Sequence, residues 1–436
     1  MFWFLYDFIF FLISLVMMPS VFLKMHRRGG YRANIGNRFG RYAKETRGKF
    51  GEGAILIHAV SVGEVGIASQ FMKAMRAVDP TARFIVSTTS STGWQEAKKK
   101  IGEQDLLIYN PLDFTPFVHR MLDATRPSAF IMVETELWPN LIRQCRKRLI
   151  PMAIINARLS DRTAPRYARL RFLFGPALRS IRTILVQSKL DEDRYLAAGA
   201  DKETLTITGS FKFDVAKRSP DKETAAKELL RSLDLLPPRQ ILMGASTWEG
   251  EESLLLNCYQ SLRKRFPELR LVLVPRHFER GDGIVKEIHD AGFQVMRRSE
   301  LKSGTSKARA MTSDDVLLVD TTGEIMGLFP YATIAFVGRT FCSKGGQNMI
   351  EPCLCGIPTI VGPETQNFRP VMSDLLASKA IIQLHEANEL EPAIATLLDD
   401  PDERKALGKR ASDAVQLRTG VVDRCVLMIR DAIGKR

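Results

Sequence analysis

Two groups of side chains stand at the ends of apolar runs in this 436-residue sequence, one suited to accepting a proton and one to holding an anion. The string IHAVSVGE, Ile57 to Glu64, carries an apolar run, Ala54 to Ala59, into a small loop that closes on a carboxylate. A helix follows from about Val65 and carries Met72 and Met75. Ligands of open α/β sheets bind beyond the carboxyl ends of the strands, so Glu64 projects toward a cleft as a candidate catalytic group. Its plainer role is an acid at a helix start, where the positive end of the macrodipole lowers the carboxyl pKa and keeps the group ionised. ETELWPN, Glu134 to Asn140, ends another apolar run. Glu134 and Glu136, two residues apart, point the same way in extended geometry, so one either stays protonated or pairs with an arginine. The plainer role for Glu134 is to bridge neighbouring loops.

The anion-holding group comes later. From Gly338 to Pro352 the sequence reads GRTFCSKGGQNMIEP, a strand end, a Gly-Gly turn, and a helix whose first turn holds Gln347, Asn348 and Glu351. Gly345 and Gly346 let backbone approach a ligand closely, and the free amides of a helix start suit phosphate. Glu351 can accept from ribose hydroxyls, or serve as the N3 partner of Asn348 in a capping box, and the two roles are compatible. In VPRH, Val274 to His277, the Arg276 guanidinium can grip a phosphate or carboxylate with two prongs, while His277 alone reads first as a structural hydrogen-bonder. GASTWEGEE, Gly244 to Glu252, and TTGE, Thr321 to Glu324, end further apolar runs.

These loops need a scaffold, and the apolar runs supply it. Ala54 to Ala59, Phe84 to Ser87, Leu106 to Tyr109, Ala129 to Val133, Met152 to Asn156, Ile184 to Val186 and Leu205 to Thr208 alternate with helical patterns. Such runs predict a parallel sheet covered on both faces. A polar stretch, 214–224, reads as a linker. The pattern then restarts with Ile241 to Gly244, Leu271 to Val274, Gln294 to Met296, Val316 to Val319, Ile334 to Val337 and Thr359 to Val361. The expected fold class is α/β, two doubly wound Rossmann-like domains, 24–213 and 225–436, facing each other across a cleft.

Lys plus Arg number 63 against 49 Asp plus Glu, a formal charge of +14, which favours acidic partners. Phe2 to Leu23 is almost wholly apolar, interrupted by Asp7 and Pro19, and is long enough to cross a bilayer as a helix. Nine Lys or Arg and one acid follow between Lys24 and Lys49, which places the downstream chain on the cytoplasmic side. Residues 1–23 are therefore expected to anchor the protein to the inner membrane, by spanning it or by dipping into one leaflet. From Arg143 to Arg182 there are eleven Lys or Arg and one acid, including an amphipathic stretch, Tyr167 to Leu178, suited to anionic lipid head groups. Nucleic acid is the weaker reading, because no zinc, helix-turn-helix or RNA-binding signature accompanies the charge. The six cysteines have no zinc-binding spacing, and neither GxGxxG after the first strand nor GxxxxGK is present, which argues against hydride transfer and ATP hydrolysis.

Taken in order, HAVSVGE, TTSSTG, ETELWPN, NARLS, GSFKFD, GASTWEGEE, PRHFER and GGQNMIEP closely resemble the motifs of the Kdo transferases of lipid A biosynthesis, membrane-anchored glycosyltransferases of the GT-B fold. The resemblance implies transfer of 3-deoxy-D-manno-octulosonic acid (Kdo) from CMP-Kdo to a lipid A precursor at the cytoplasmic face of the inner membrane, with no cofactor and no metal in catalysis. It implies that Glu64 is the base acting on the acceptor hydroxyl, and that Glu134 and Lys212 support the transition state. It further implies that CMP is held by Pro275 and Arg276, by Gly323, Glu324 and Ile325, and by Gly346, Gln347, Asn348, Met349, Ile350 and Glu351. Two positions depart from the family pattern: Ile57 stands where Trp is usual, a change of packing, and Arg339 stands where a small residue is usual, which puts a charge near the nucleotide loop. Two other readings stay open, a lipid-acting GT-B transferase that uses a UDP-sugar, and a membrane-tethered nucleotide-binding protein without turnover.

Overall fold

The computed structural model describes residues 6–8, 10, 12, 34–42, 53–215 and 218–434, and the chain divides into two compact units. One lies within Met1–Phe211 together with Gly420–Arg436, the other within Lys212–Thr419.

The first unit is built on seven strands, β1 (Ile55–His58), β2 (Phe84–Thr88), β3 (Leu106–Tyr109), β4 (Ala129–Val133), β5 (Met152–Ala157), β6 (Thr183–Val186) and β7 (Leu205–Ile207). They pair in parallel in the order β3-β2-β1-β4-β5-β6-β7, with Ile57 facing Val86 on one side and Ile131 on the other. Ile55 and Ile57 belong to one apolar cluster and Leu56 to another, so alternate side chains enter cores on opposite faces of the sheet. Both faces are covered, which is why the run is apolar throughout. Ile57 is fully buried there.

The second unit repeats the plan with β8 (Gln240–Thr247), β9 (Leu269–Pro275), β10 (Gln294–Arg297), β11 (Asp315–Leu318), β12 (Ile334–Val337), β13 (Thr359–Val361) and β14 (Ile382–Gln383). The order is β10-β11-β9-β8-β12-β13-β14, again parallel. Every expected run becomes a strand near the expected residues. β14 is additional: two half-buried residues offer no apolar run to read.

Two expectations need correction. The expected second domain, 225–436, loses its last helix, Val421–Gly434, to the first unit. Val421, Val422, Cys425, Val426 and Ile429 pack into the cluster that holds Ile57, each full burial of a Val or Ile side chain being worth about 1.5–3 kcal/mol. The unit boundary lies at Phe211 and Lys212, and the expected linker already contains the start of a helix, Pro220–Ser232. The stretch Tyr167 to Leu178 is two short helices, Ala164–Arg169 and Arg171–Leu178, meeting at Leu170. Tyr167 stacks on Phe174 with ring centroids 4.1 Å apart, while Phe172 is 68% exposed.

Most of the expected anchor lies outside the described residues, and no helix among the described residues is long and apolar enough to cross a membrane. Tyr6 and Asp7 are described, and both bind the first unit. The Tyr6 hydroxyl donates to Asp113 (3.0 Å), and Asp7 accepts from Thr115 Oγ1 and from Asn140 Nδ2, each at 2.7 Å. The acid that interrupts the apolar run is therefore satisfied by protein. Asp113 is fully buried, and burial raises its pKa to about 6 against the opposing pull of the Asn140 and Leu141 amides.

Candidate functional site

In the first unit the strand order reverses between β1 and β4, the place where doubly wound sheets open a crevice at the carboxyl ends. Glu64 follows β1, and Glu134 and Glu136 follow β4. All three line a cavity of about 400 Å³ together with Trp138, Arg158 and Tyr167. A larger hollow, about 850 Å³, lies at the opposite ends of these strands, among Arg126, Ser128, Arg148 and Pro151; no carboxylate side chain among the described residues lines it.

Glu64 is held by the loop it closes. The helix Val62–Val78 begins three residues before the expected Val65, with Ser61 as its N-cap, so Glu64 stands at N3. Ser61 Oγ donates to Glu64 Oε1 (2.8 Å), the Val60 amide donates to Oε2 (2.9 Å), and the Glu64 amide donates to Ser61 Oγ (3.3 Å). This is close to a capping box, so the plainer structural role of Glu64 is realised as well. The expected lowering of its pKa is not. Burial raises it, outweighing the Val60 and Ser61 hydrogen bonds, and Glu134 adds to the rise. At 9% exposure, desolvation of the carboxylate exceeds what one helix start returns.

The neighbouring acids divide into the two states expected of the pair. Glu134, with a left-handed φ of 60°, places Oε2 at 2.9 Å from Arg158 Nε, and Asn156 Nδ2 donates to Oε1 at 3.4 Å. Glu136 has no side-chain hydrogen bond among the described residues. Burial, then Glu64, then Glu134 push its pKa to about 7. Glu136 is not among the site residues that the family resemblance implies, although its spacing from Glu134 is the signal for it.

Trp138 and Gly93 also matter; both fall within quoted motifs, ETELWPN and TTSSTG, but neither residue type announces a chemical role. Indole Nε1 of Trp138 donates to His58 Nε2 (3.0 Å). That indole can only donate, so the proton of His58 sits on Nδ1, 2.8 Å from Ser87 Oγ. Burial depresses the His58 pKa to about 4, which keeps the imidazole neutral and the Trp138 wall of the cavity in place. Gly93 of TTSSTG lies against the Glu64 loop, where a Cβ would stand 2.7 Å from the Val60 carbonyl oxygen. Ser90 Oγ donates to that same oxygen (2.6 Å).

Lys212 belongs to the second unit. Its Nζ donates to the Asn367 carbonyl and stands 4.2 Å from the Phe368 ring centroid. It lies between two buried anchors: Phe211 is in the core of the first unit and Phe213 in that of the second.

The second sheet reverses order between β8 and β12, and the expected nucleotide residues lie along the same edge, after β11, β9 and β12. Arg276 is exposed, its amide donating to the Thr247 carbonyl (3.1 Å), and its guanidinium has no hydrogen bond or ion pair among the described residues. Pro275 ends β9, and Gly323 takes φ 82°. Glu324 is engaged already, accepting from Arg298 Nε (2.8 Å) and Thr321 Oγ1 (2.7 Å), and Ile325 starts a single turn, Ile325–Leu328. The Gly346 amide donates to the Arg339 carbonyl (2.9 Å), and Gln347 to that of Gly338 (3.2 Å).

The helix expected after this turn is shorter and starts later. It covers Ile350–Leu354, with Met349 at the cap position, and ends where Gly356 turns with φ 72° and Ile357 donates to the Pro352 carbonyl (3.0 Å). Asn348 Oδ1 accepts from the Ile350 amide (3.1 Å), so no capping box forms. Burial raises the Glu351 pKa, against a hydrogen bond from Asn348 and the charge of Lys222.

Glu251, fully buried, binds both sides of the strand reversal: it accepts from the amides of Trp248 (2.9 Å), Arg339 (2.7 Å), Thr340 (2.8 Å) and Phe341 (3.1 Å). Glu252 pairs with Arg280 through two hydrogen bonds of 2.9 and 3.1 Å.

The family model described as 3-deoxy-D-manno-octulosonic-acid transferase (kdotransferase) matches residues 33–215. The 3-deoxy-D-manno-octulosonic acid transferase of Haemophilus influenzae is 32% identical over 406 residues, 92% of this chain and 91% of that protein. That of Bordetella pertussis is 30% identical over 431 residues, 95% of this chain and 97% of that protein. Among solved structures, a glycosyltransferase from Rickettsia africae aligns over 89% of this chain and all of its own, with a TM-score of 0.57 at 11% identity. At that identity the likeness speaks to fold alone, the α/β GT-B class.

Proposed function

The chain belongs to the 3-deoxy-D-manno-octulosonic acid transferase family, and from that premise we propose a mechanism, donor and membrane placement for its Kdo transfer to a lipid A precursor. The donor is CMP-Kdo, and transfer proceeds with inversion. Glu64 removes the proton from the acceptor hydroxyl as its oxygen attacks the anomeric carbon, and the phosphate of CMP leaves with the bonding electrons. The observation that carries this reading is the Glu64 carboxylate in the cavity after β1, buried, oriented by Val60 and Ser61, with its pKa raised. A base whose pKa approaches the working pH transfers protons more effectively than an ordinary carboxylate.

Glu134 and Arg158 form one side of the cavity, and their ion pair fixes the direction of that carboxylate toward the reacting sugar. Lys212, steered by Asn367 and Phe368, supports the donor's anionic groups from the second unit. Arg276 holds the CMP phosphate. The Gly345–Gly346 turn supplies backbone beside it, and Gly323, Ile325 and the Asn348–Glu351 segment complete the nucleotide contacts. The apolar run of residues 2–23 attaches the enzyme to the inner membrane from the cytoplasmic side. Exposed Phe172 and the arginines around it rest on anionic lipid. Asp7, satisfied by Thr115 and Asn140, favours a run that dips into one leaflet with its polar side on the protein.

Incubating the purified protein with CMP-Kdo and a lipid A precursor, followed by mass spectrometry, should show the precursor heavier by whole Kdo units and free CMP released. Inhibition by UDP but not CMP would defeat the donor assignment.

A further inference from the structure

Resting on the reading that the second unit binds the nucleotide sugar, we propose that Arg339 is itself a donor-binding residue, its guanidinium taking an oxyanion of the donor beside the Gly345–Gly346 turn. The oxyanion is either the nucleotide phosphate or the carboxylate of the sugar acid; both offer the planar or near-planar oxygen pair that a guanidinium fork matches.

Arg339 stands two residues past Val337, the end of β12, at the reversal between β8 and β12, where a doubly wound sheet receives its ligand. Its backbone is left-handed, φ 59°, a conformation unfavourable for a residue with a side chain. Glu251 enforces it, accepting from the Arg339 amide and the two amides that follow, while the Arg339 carbonyl accepts from Gly346. Backbone held this firmly in an unfavourable region points to a position fixed for function.

The side chain is fixed as well. The guanidinium carbon stands 4.8 Å from the Trp248 ring centroid and 3.7 Å from where a Cβ on Gly345 would lie. Trp248 is in turn braced edge-on by His277, ring centroids 4.8 Å apart. Nε of Arg339 is buried without a hydrogen-bond partner, and the guanidinium makes no ion pair among the described residues. A stacked cation with an unmatched buried donor is poor for stability, since buried polar groups are ordinarily paired. An incoming oxyanion supplies the missing partner.

The test uses Arg339→Gly and Arg339→Lys in the full chain. Glycine suits a left-handed backbone, so Arg339→Gly should unfold at the wild-type temperature or above it, which separates binding from folding. Calorimetric titration with CMP and steady-state kinetics with CMP-Kdo are then compared. Loss of a charge-assisted contact should weaken donor binding by about tenfold or more in the glycine variant, with the lysine variant between it and wild type. A raised Kd for CMP identifies the phosphate as the anion. An unchanged Kd for CMP with a raised KM for CMP-Kdo identifies the sugar carboxylate. If neither constant moves in the glycine variant, Arg339 only packs on Trp248 and the proposal is wrong. Wild-type protein that binds neither CMP nor CMP-Kdo would remove the donor reading, visibly before any variant is compared, and this proposal with it.

Discussion

The strand reversals of the two sheets share one topology and carry opposite chemistry. At the first, between β1 and β4, the carboxylates of Glu64, Glu134 and Glu136 turn outward into a cavity. At the second, between β8 and β12, the carboxylate of Glu251 turns inward to bind four backbone amides, and the exposed or unmatched groups are cations, Arg276 and Arg339. The same kind of residue at the same kind of turn is therefore a reagent in one unit and a fastening in the other. Direction decides the role: an acid facing a cavity can meet a substrate, while one whose oxygens are consumed by backbone N–H donors cannot.

The strongest way to break this contrast is to neutralise the outward acid. Glu64→Gln keeps the size and most of the hydrogen bonds to Val60 and Ser61, yet transfer should fall by about 10²-fold or more, with CMP affinity and thermal unfolding unchanged. Near wild-type initial rates would remove Glu64 as the base. The converse substitution, Glu251→Gln, should act on the fold. It replaces a carboxylate acceptor with an amide whose NH2 faces amide donors, and unfolding in urea should show a loss of about 2–3 kcal/mol. A variant as stable as wild type would mean that the inward acid is not a fastening.

A third substitution sharpens the contrast through pH. The folded pKa of Glu136, about 7, lies above its ordinary 4.5, so the folded state holds this proton more tightly than the unfolded one. Its destabilising effect is absent below about pH 4.5, grows as pH rises, and is complete above about pH 7. Glu136→Gln should therefore be more stable than wild type at pH 8 and no different at pH 4. The acid limb of kcat/KM should stay in place, because Glu136 already carries its proton where Glu64 titrates and the charge that raises the Glu64 pKa is that of Glu134. A limb that moves would show that Glu136 is charged there. The smallest effect belongs to the cavity wall. Trp138→Phe leaves Nε2 of His58 without its donor and should cost about 1 kcal/mol in chemical denaturation, which an unchanged midpoint would contradict.

The difference between the reversals also explains what could be read from residue order. Apolar runs such as Ala129 to Val133 announce their strands because both faces of a covered sheet demand apolar side chains. Ile382–Gln383 escapes because two residues carry no period. Glu64 and Glu134 were visible as acids at strand ends, yet residue order alone gave Glu251 the same appearance. Whether a carboxylate meets a cavity or a set of backbone amides depends on loops distant in sequence, here Gly338 to Phe341 for Glu251. The sign of the Glu64 pKa shift was hidden for the same reason: a helix start can be read from Ser61 and Glu64, but the burial that outweighs it comes from the surrounding fold. Trp138, His58 and Gly93 were quoted within motifs, but their roles as wall, brace and close-packing position need three-dimensional neighbours.

The return of the Val421–Gly434 helix to the first unit has a consequence for synthesis. During translation the first sheet emerges early, but one of its faces keeps an open apolar stripe until residues 421–429 have left the ribosome. The second unit, contiguous in sequence, has no such wait. The order of completion is thus the reverse of the order of emergence, with the acid-bearing half left unfinished until the Val421–Gly434 helix closes over it.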